Sequence, residues 1–122
     1  MELTRTAQLA LLLDFYGALL TDRQRMMLRL RVEEDLSLSE IAENYGISRQ
    51  GVRDVIVRAE NYMTEIEDKT GLIKRFMQLQ PHVEKIVDAA QQIKQLNFRR
   101  YEDRQLEELA GVIETEAAAL KE

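Results

Sequence analysis

Residues 37–59 read SLSEIAENYGISRQGVRDVIVRA, and this stretch decides the fold. Ser37 followed three residues later by Glu40 is a capping box, so a helix begins here. Ile41 and Ala42 form its inward face, with Tyr45 one turn further on. Gly46 stands where that helix must stop, because glycine enters the left-handed region without a Cβ penalty. Ile47 plugs the turn. Ser48 can cap the following helix by accepting a bond from an orphan backbone N–H. Val52, Val55, Ile56 and Ala59 then recur at helical spacing and face inward. Arg49, Gln50, Arg53 and Asp54 are left on the outer side, near the helix start.

Two short helices and a glycine turn of this kind form a helix-turn-helix. The small Ala42 permits a close crossing. The polar start of the second helix is the part that enters a major groove, where Arg can fork to guanine and Gln can pair with adenine. A three-helix core whose turn only resembles the motif would share the pattern.

Working outward, the whole chain has 122 residues, 45% of them apolar, with one Pro, five Gly and no Cys. That suits one all-α domain with a helical extension. Without Cys there is neither a disulfide framework nor a thiolate metal site. A net charge of −5 argues against a protein that coats DNA non-specifically, yet allows a local basic patch on an acidic body. Ala7 to Leu13 after Arg5 imitates a signal-peptide core, but Asp14 interrupts it and no clean cleavage site follows. It is too short to span a bilayer. A cytoplasmic setting is the expectation.

The first helix is expected over Thr6–Leu19. Its leucines, Phe15 and Tyr16 cover an apolar arc of roughly 220°, far beyond the ~100° stripe of a surface helix. It must be covered from two directions, inside the fold or at a subunit interface. Thr21 and Gln24 form a second capping box and open a helix to about Val32. Arg23, Arg25, Arg29 and Arg31 make this the most basic segment, read either as a solvated face or as phosphate contacts beside the motif. Glu33, Glu34 and Asp35 dilute it.

The second helix of the motif should run from Arg49 to about Lys69 and end at Gly71, its far half a packing strut. Leu72 to Met77 reads as a short helix, and Pro81 as the first turn of the next. Asn97 to Arg100 is the expected loop. The last helix, about Glu102–Leu120, carries Leu106, Leu109, Ala110, Ile113, Ala117 and Leu120 as a seam for helix packing. This divides the chain into a helix-turn-helix domain, 1–70, and C-terminal helices, 71–122, that pack on it or on a partner subunit.

Catalysis has little support. No phosphate-binding glycine loop is present. His82, the sole histidine, has no partner for a metal or a triad and reads as a surface residue beside Pro81. Neither an enzyme activity nor a cofactor is expected.

The run Asp14-Phe15-Tyr16-Gly17, Leu20-Thr21 with Gln24-Arg25, and the block Asp35–Glu60 together resemble the YlxM-like family of small bacterial proteins. That helix-turn-helix in turn resembles region 4 of sigma factors. The similarity covers about Leu11–Phe76; the tail beyond Leu96 carries no matching signature. The resemblance implies an all-helical fold, a cytoplasmic bacterial setting, a regulatory role with DNA binding through the motif, and a link to the signal recognition particle pathway. On the sigma-like pattern, Ser48, Arg49, Gln50 and Arg53 can face DNA. Gly51 departs from it, where a better helix former is usual.

The expected function is a DNA-binding regulatory or accessory factor of that pathway, with RNA as an alternative nucleic acid. The candidate contacts are Ser48, Arg49, Gln50, Arg53 and Arg58, with Arg23, Arg25 and Arg29. The rival is an adaptor that binds signal recognition particle components without reading DNA. Excess apolar surface on the helices points to a homodimer, against a compact monomer in which the C-terminal helices fold back.

Overall fold

Five of the six α-helices among the described residues start on a side-chain cap. In the computed structural model, which describes residues 4–121, Thr4 caps α1 (Arg5–Tyr16) by accepting from Ala7 N–H at 3.1 Å. A turn of 3₁₀ helix, Gly17–Leu19, follows. The Thr21 hydroxyl accepts from Gln24 N–H, and the Gln24 side chain accepts from Thr21 N–H, opening α2 (Asp22–Val32). Ser37 and Glu40 repeat the arrangement for α3 (Leu38–Tyr45). Ser48 caps α4 (Arg49–Thr70), which ends at Gly71 with φ +63°. Then come α5 (Leu72–Leu96) and α6 (Arg104–Ala119), the latter capped by Asp103. The fold is all-α, and no strand occurs among the described residues.

The chain divides into two compact units that meet at Ile73–Lys74. In the first, Leu9, Leu13 and Tyr16 of α1, Met27 and Leu28 of α2, Ile41 and Ala42 of α3, and four residues of α4 form one buried cluster. The wide apolar arc of α1 is largely covered within this unit, because Leu11, Leu12 and Phe15 pack partly buried against the same core. Met63 of α4 is fully buried, so the far half of that helix is the strut on which α1 rests.

The second unit is an antiparallel helical hairpin. Lys94 reaches both Glu107 and Glu114, and Lys121 reaches Glu84; partner numbers fall on α5 as they rise on α6. Two expectations are corrected here. Leu72–Met77 is not a separate helix and Pro81 does not open a new one: α5 continues through Pro81. Proline lacks the N–H that the Met77 carbonyl would use, but Met77 is exposed, so that carbonyl is open to water. The apolar spacing Phe76, Leu79, Val83, Ile86 carries the helix across. Residues 97–100 are not an open loop either. Asn97–Tyr101 is one turn of π-helix, and the chain reverses at Glu102, with φ +47°. Asn97, buried at 3% exposure, holds this reversal: its amide nitrogen donates to Asp103 O at 2.7 Å and its amide oxygen accepts from Asp103 N–H at 2.8 Å.

The hairpin seam is narrower than the apolar pattern of its helices. Val83 and Ala90 on α5 and Asn97 just past its end are buried, as are Ala110 and Ala117 on α6, each set seven residues apart. Leu106, Leu109, Ile113 and Leu120, expected in the seam, are 38–68% exposed.

Candidate nucleic-acid interface

The turn between α3 and α4 is built by three residues. Gly46 takes φ +65° and ψ +33°, and its N–H bonds back to Ala42 and Glu43. The Ile47 N–H also returns to Ala42 O, at 3.2 Å, so two of the orphan carbonyls at the end of α3, those of Ala42 and Glu43, are satisfied. The Ser48 hydroxyl then accepts from Gly51 N–H at 2.9 Å. Its hydroxyl proton stays available to an outside acceptor such as a phosphate oxygen.

Gly51 has a local reason. A Cβ there would lie 3.2 Å from Ser48 Oγ and 3.5 Å from Ile47 Cδ1. The first turn of α4 is wrapped tightly on its own cap, and a side chain would press on the cap.

Val52, Ile56 and Ala59 turn α4 into the core, which leaves Arg49, Gln50, Arg53 and Arg58 exposed. Arg49, Gln50 and Arg53 line one shallow depression with Leu38. Gln50, Arg53 and Arg58 line a second, with Asp54 and Val57. Gln50 Nε2 donates to Asp54 Oδ1 at 3.0 Å, which fixes the amide on the surface. Arg49, Arg53 and Arg58 form no ion pair or hydrogen bond with another described residue. Three guanidinium groups therefore stand in solvent: those of Arg49 and Arg53 near the N-terminus of α4, whose partial positive charge has the same sign, and that of Arg58 further along the helix. That combination attracts phosphate.

Arg53 is the meeting point. It lines a third depression with Arg5, Arg31 and Leu38, at the foot of which Glu60 lies. Arg31 Nη1 donates to Leu36 O at 2.9 Å, and Arg5 lies 3.4 Å from Glu60 Oε2. Neither stands among the expected contacts. Arg31 had a signal, as the fourth arginine of its run. Arg5 had none, because only the packing of α1 against α4 brings it here.

The α2 arginines part company. Arg23 is exposed, with its guanidinium 5.8 Å from the centre of the Tyr45 ring, a cation–π contact. Arg25 is turned inward. Its Nε donates to Gly17 O at 3.1 Å and its Nη2 to Leu20 O at 3.2 Å, with Asp22 at 3.4 Å. Arg29 is exposed but shares its depression with Arg25, Asp14 and Glu33, between α1 and α2. The structure thus brings Arg49, Gln50, Arg53 and Arg58 together behind Ser48, and does not bring Arg25 or Arg29 to them. For Arg25 the reason is the 3₁₀ turn, which sets the carbonyls of Gly17 and Leu20 within reach of its donors.

Among the described residues, no cluster of three or more His, Asp or Glu side chains is placed to hold a metal. Among the same residues, no helix is long and apolar enough to cross a membrane.

A family model, UPF0122, described as "Putative helix-turn-helix protein, YlxM / p13 like", matches residues 3–107. A UPF0122 protein of Desulforamulus reducens is 52% identical over 68 residues, 56% of this chain and 58% of that protein. One of Caldanaerobacter subterraneus subsp. tengcongensis is 47% identical over 78 residues, 64% of this chain and 67% of its own length. One of Bacillus thuringiensis is 44% identical over 84 residues, 69% of this chain and 76% of its own. The match thus spans less than two thirds of the first of these relatives.

Proposed function

The chain belongs to the UPF0122 family of YlxM/p13-like helix-turn-helix proteins, and we propose that it is a non-catalytic, DNA-binding regulatory or accessory factor. In this reading it works in the bacterial cytoplasm, linked to the signal recognition particle pathway, and acts as a homodimer. Residues 1–70 are the nucleic-acid-binding domain, and residues 71–122 serve packing or pairing. Ser48, Arg49, Gln50, Arg53 and Arg58 form the contact surface, joined by Arg31. Arg49, Gln50 and Arg53 read bases, while the remaining arginines and the Ser48 hydroxyl hold phosphates. Arg23 and Arg29 contribute at longer range. Arg25 supports the fold beneath them.

The observation that carries this reading is the group of guanidiniums on the first turns of α4 that have no ion pair with a described residue. A surface arginine on an acidic chain readily finds a carboxylate. Here three do not, on the helix that a helix-turn-helix presents to a groove.

The test is salt. Nucleic-acid binding through several arginines weakens steeply and log-linearly with added salt. The rival, an adaptor that binds signal recognition particle components without reading DNA, uses the exposed apolar residues of α5 and α6 and changes little with salt. Capture from a cell lysate with and without nuclease separates the two: material lost on nuclease treatment is held through nucleic acid, and material retained is held through protein. Retention of all material, with no affinity for a random DNA duplex at low salt, overturns the DNA-binding reading.

A further inference from the structure

We infer that two copies of this chain join through one face of the α5–α6 hairpin, forming an antiparallel four-helix bundle with α5 of each copy against α6 of the other. This deepens the homodimer reading above and rests on it, but needs no nucleic acid.

The argument begins with the seven-residue repeats. Val83 and Ala90 on α5, Asn97 just past its end, and Ala110 and Ala117 on α6 fill the seam of the hairpin. Three residues beyond each seam position on α5 stand Ile86 and Ile93, and before them Leu79, exposed at 46%, 39% and 52%. On α6 the same offset gives Leu106, Ile113 and Leu120, exposed at 38%, 40% and 68%. Each helix thus carries both apolar positions of a heptad, and the hairpin itself uses only one of them.

The two unused stripes lie on the same side. In an antiparallel pair, residues at equal offset from the seam on both helices fall on one face. The structure marks the opposite face independently: Lys94, Glu107 and Glu114, which pair across the helices, all sit four residues beyond a seam position. The leucines and isoleucines, at offset three, are therefore on the other face together, flanked by Leu96 and Leu109 at 49% and 54% exposure.

The extent of this face decides what covers it. Eight half-exposed leucine and isoleucine residues offer on the order of 700 Å² per chain, beyond the largest apolar patch of an ordinary monomer and close to the ~800 Å² per partner of a standard stable interface. A short segment or a single helix would cover one stripe and leave the other. A second hairpin covers both, with the same heptad register on each side, and closes a four-helix core.

Charge selects the arrangement. On α5, Lys74, Arg75, Lys85 and Lys94 outnumber Glu84 and Asp88; on α6, Glu107, Glu108, Glu114 and Glu116 outnumber Arg104. Laying α5 on the partner's α6 sets unlike helices side by side on every edge of the bundle. Laying α5 on the partner's α5 sets like charges together, which costs stability. A two-fold axis parallel to the helices gives the first arrangement and keeps every neighbouring pair antiparallel.

Sedimentation equilibrium on the full chain tests the pairing. The expected mass at micromolar concentration is twice 14.2 kDa. Ile86→Glu with Ile113→Glu should raise the dimer dissociation constant about 30-fold or more, the effect of hot-spot residues, with helix content by circular dichroism unchanged. The milder pair Ile86→Gln with Ile113→Gln should act in the same direction if the glutamates disturb the hairpin. Leu19→Glu, at a 57% exposed residue of the first unit, should leave the dimer intact. The chain has no cysteine, so single-cysteine variants give a clean second measurement. A short bis-maleimide should join Ile93→Cys to Ile113→Cys across mixed copies better than either variant to itself. A species of 14.2 kDa throughout overturns the pairing and leaves the face to an unrelated partner. A dimer indifferent to the Ile86 and Ile113 variants overturns this face while the homodimer reading stands. Preferred joining of Ile93→Cys to itself overturns the α5-on-α6 arrangement.

Discussion

The Tyr16 hydroxyl donates a 2.5 Å hydrogen bond to Glu67 Oε1, tying the end of α1 to the last turns of α4, 51 residues later. The same oxygen of Tyr16 lies 2.7 Å from Thr70 Oγ1, and Glu67 Oε1 also accepts from Ile73 N–H at 3.0 Å. The phenol ring itself is only 3% exposed. One buried tyrosine thus closes the first unit at the place where α4 ends.

Tyr16→Phe keeps the ring and removes that closure. Glu67 retains its bond from Ile73, so the expected loss is modest, about 1 kcal/mol of unfolding free energy, read from urea denaturation. A pH signature accompanies it. Burial, then the bond to Glu67, pushes the Tyr16 phenol above its ordinary value of 10.0. A group raised on folding contributes stability that is complete below its unfolded pKa and is lost as pH rises through the folded one. Wild type should therefore lose stability above about pH 10 more steeply than Tyr16→Phe does.

Arg53 lines all three depressions around the start of α4. Arg53→Ala should cost about 1–3 kcal/mol of specific binding and relax sequence choice at one position. The double variant Arg49→Ala, Arg53→Ala should bind more weakly still in fluorescence anisotropy at low salt. Unchanged affinity in that double variant would remove base reading from α4.

The α2 arginines should separate by readout. Arg23→Ala and Arg29→Ala should each lower the slope of log affinity against log salt by up to about one unit, with little change in stability. Arg25→Ala should do the reverse. It takes the side-chain donor from the carbonyls of Gly17 and Leu20, of which Gly17 O keeps its bond from Leu20 N–H, at about 1–3 kcal/mol of stability, and should leave the salt slope as it was. A melting temperature unchanged by Arg25→Ala would contradict its inward role.

Lys94 and Glu114 should give the hairpin an acid limb. Lys94 Nζ lies 2.6 Å from Glu114 Oε1. The hydrogen bond from Lys94 is the main cause holding the Glu114 carboxyl below its ordinary value. The same bond is the main cause raising the Lys94 ammonium. A depressed carboxylate contributes stability that is present above its unfolded pKa and lost as pH falls through the folded one. Thermal melts should therefore fall as pH drops below the ordinary carboxylate range, and Glu114→Gln should flatten that fall. Equal acid limbs in wild type and variant would exclude the pair as its source.

Much of the first unit was legible because its signals are local. The capping boxes at Thr21 and Ser37 fix where α2 and α3 begin, Gly46 and Gly71 fix where α3 and α4 end, and each needs only neighbours within a turn. What was not legible depends on contacts between distant residues. Arg25 looked like its neighbours in the run, and only the carbonyls of Gly17 and Leu20, set within its reach by the Gly17–Leu19 turn, draw it inward. Arg5 reaches Arg53 only once α1 lies along α4. Pro81 carries the chemistry of a helix start, but the helical pattern on both sides of it continues. The C-terminal leucines matched a packing seam in period, and period alone does not say which of two stripes the neighbouring helix takes. Small alanines, by allowing close approach, took it.

Asn97 has a consequence for the order in which the chain folds. Its bonds to Asp103 close a loop six residues long, whereas the Tyr16–Glu67 bond closes one of 51. Loop-closure entropy rises with the logarithm of length, so the longer closure costs about 2 kcal/mol more at the moment of contact. The hairpin can nucleate on its own reversal within microseconds, as local helical contacts do. The helix-turn-helix core must wait until α1 finds the far end of α4. On a ribosome the delay is set by synthesis: α1, α2 and α3 emerge first, and the far half of α4 that closes over α1 follows only once residue 67 is free. The interval in which the leucines of α1 stand uncovered is therefore a matter of translation speed.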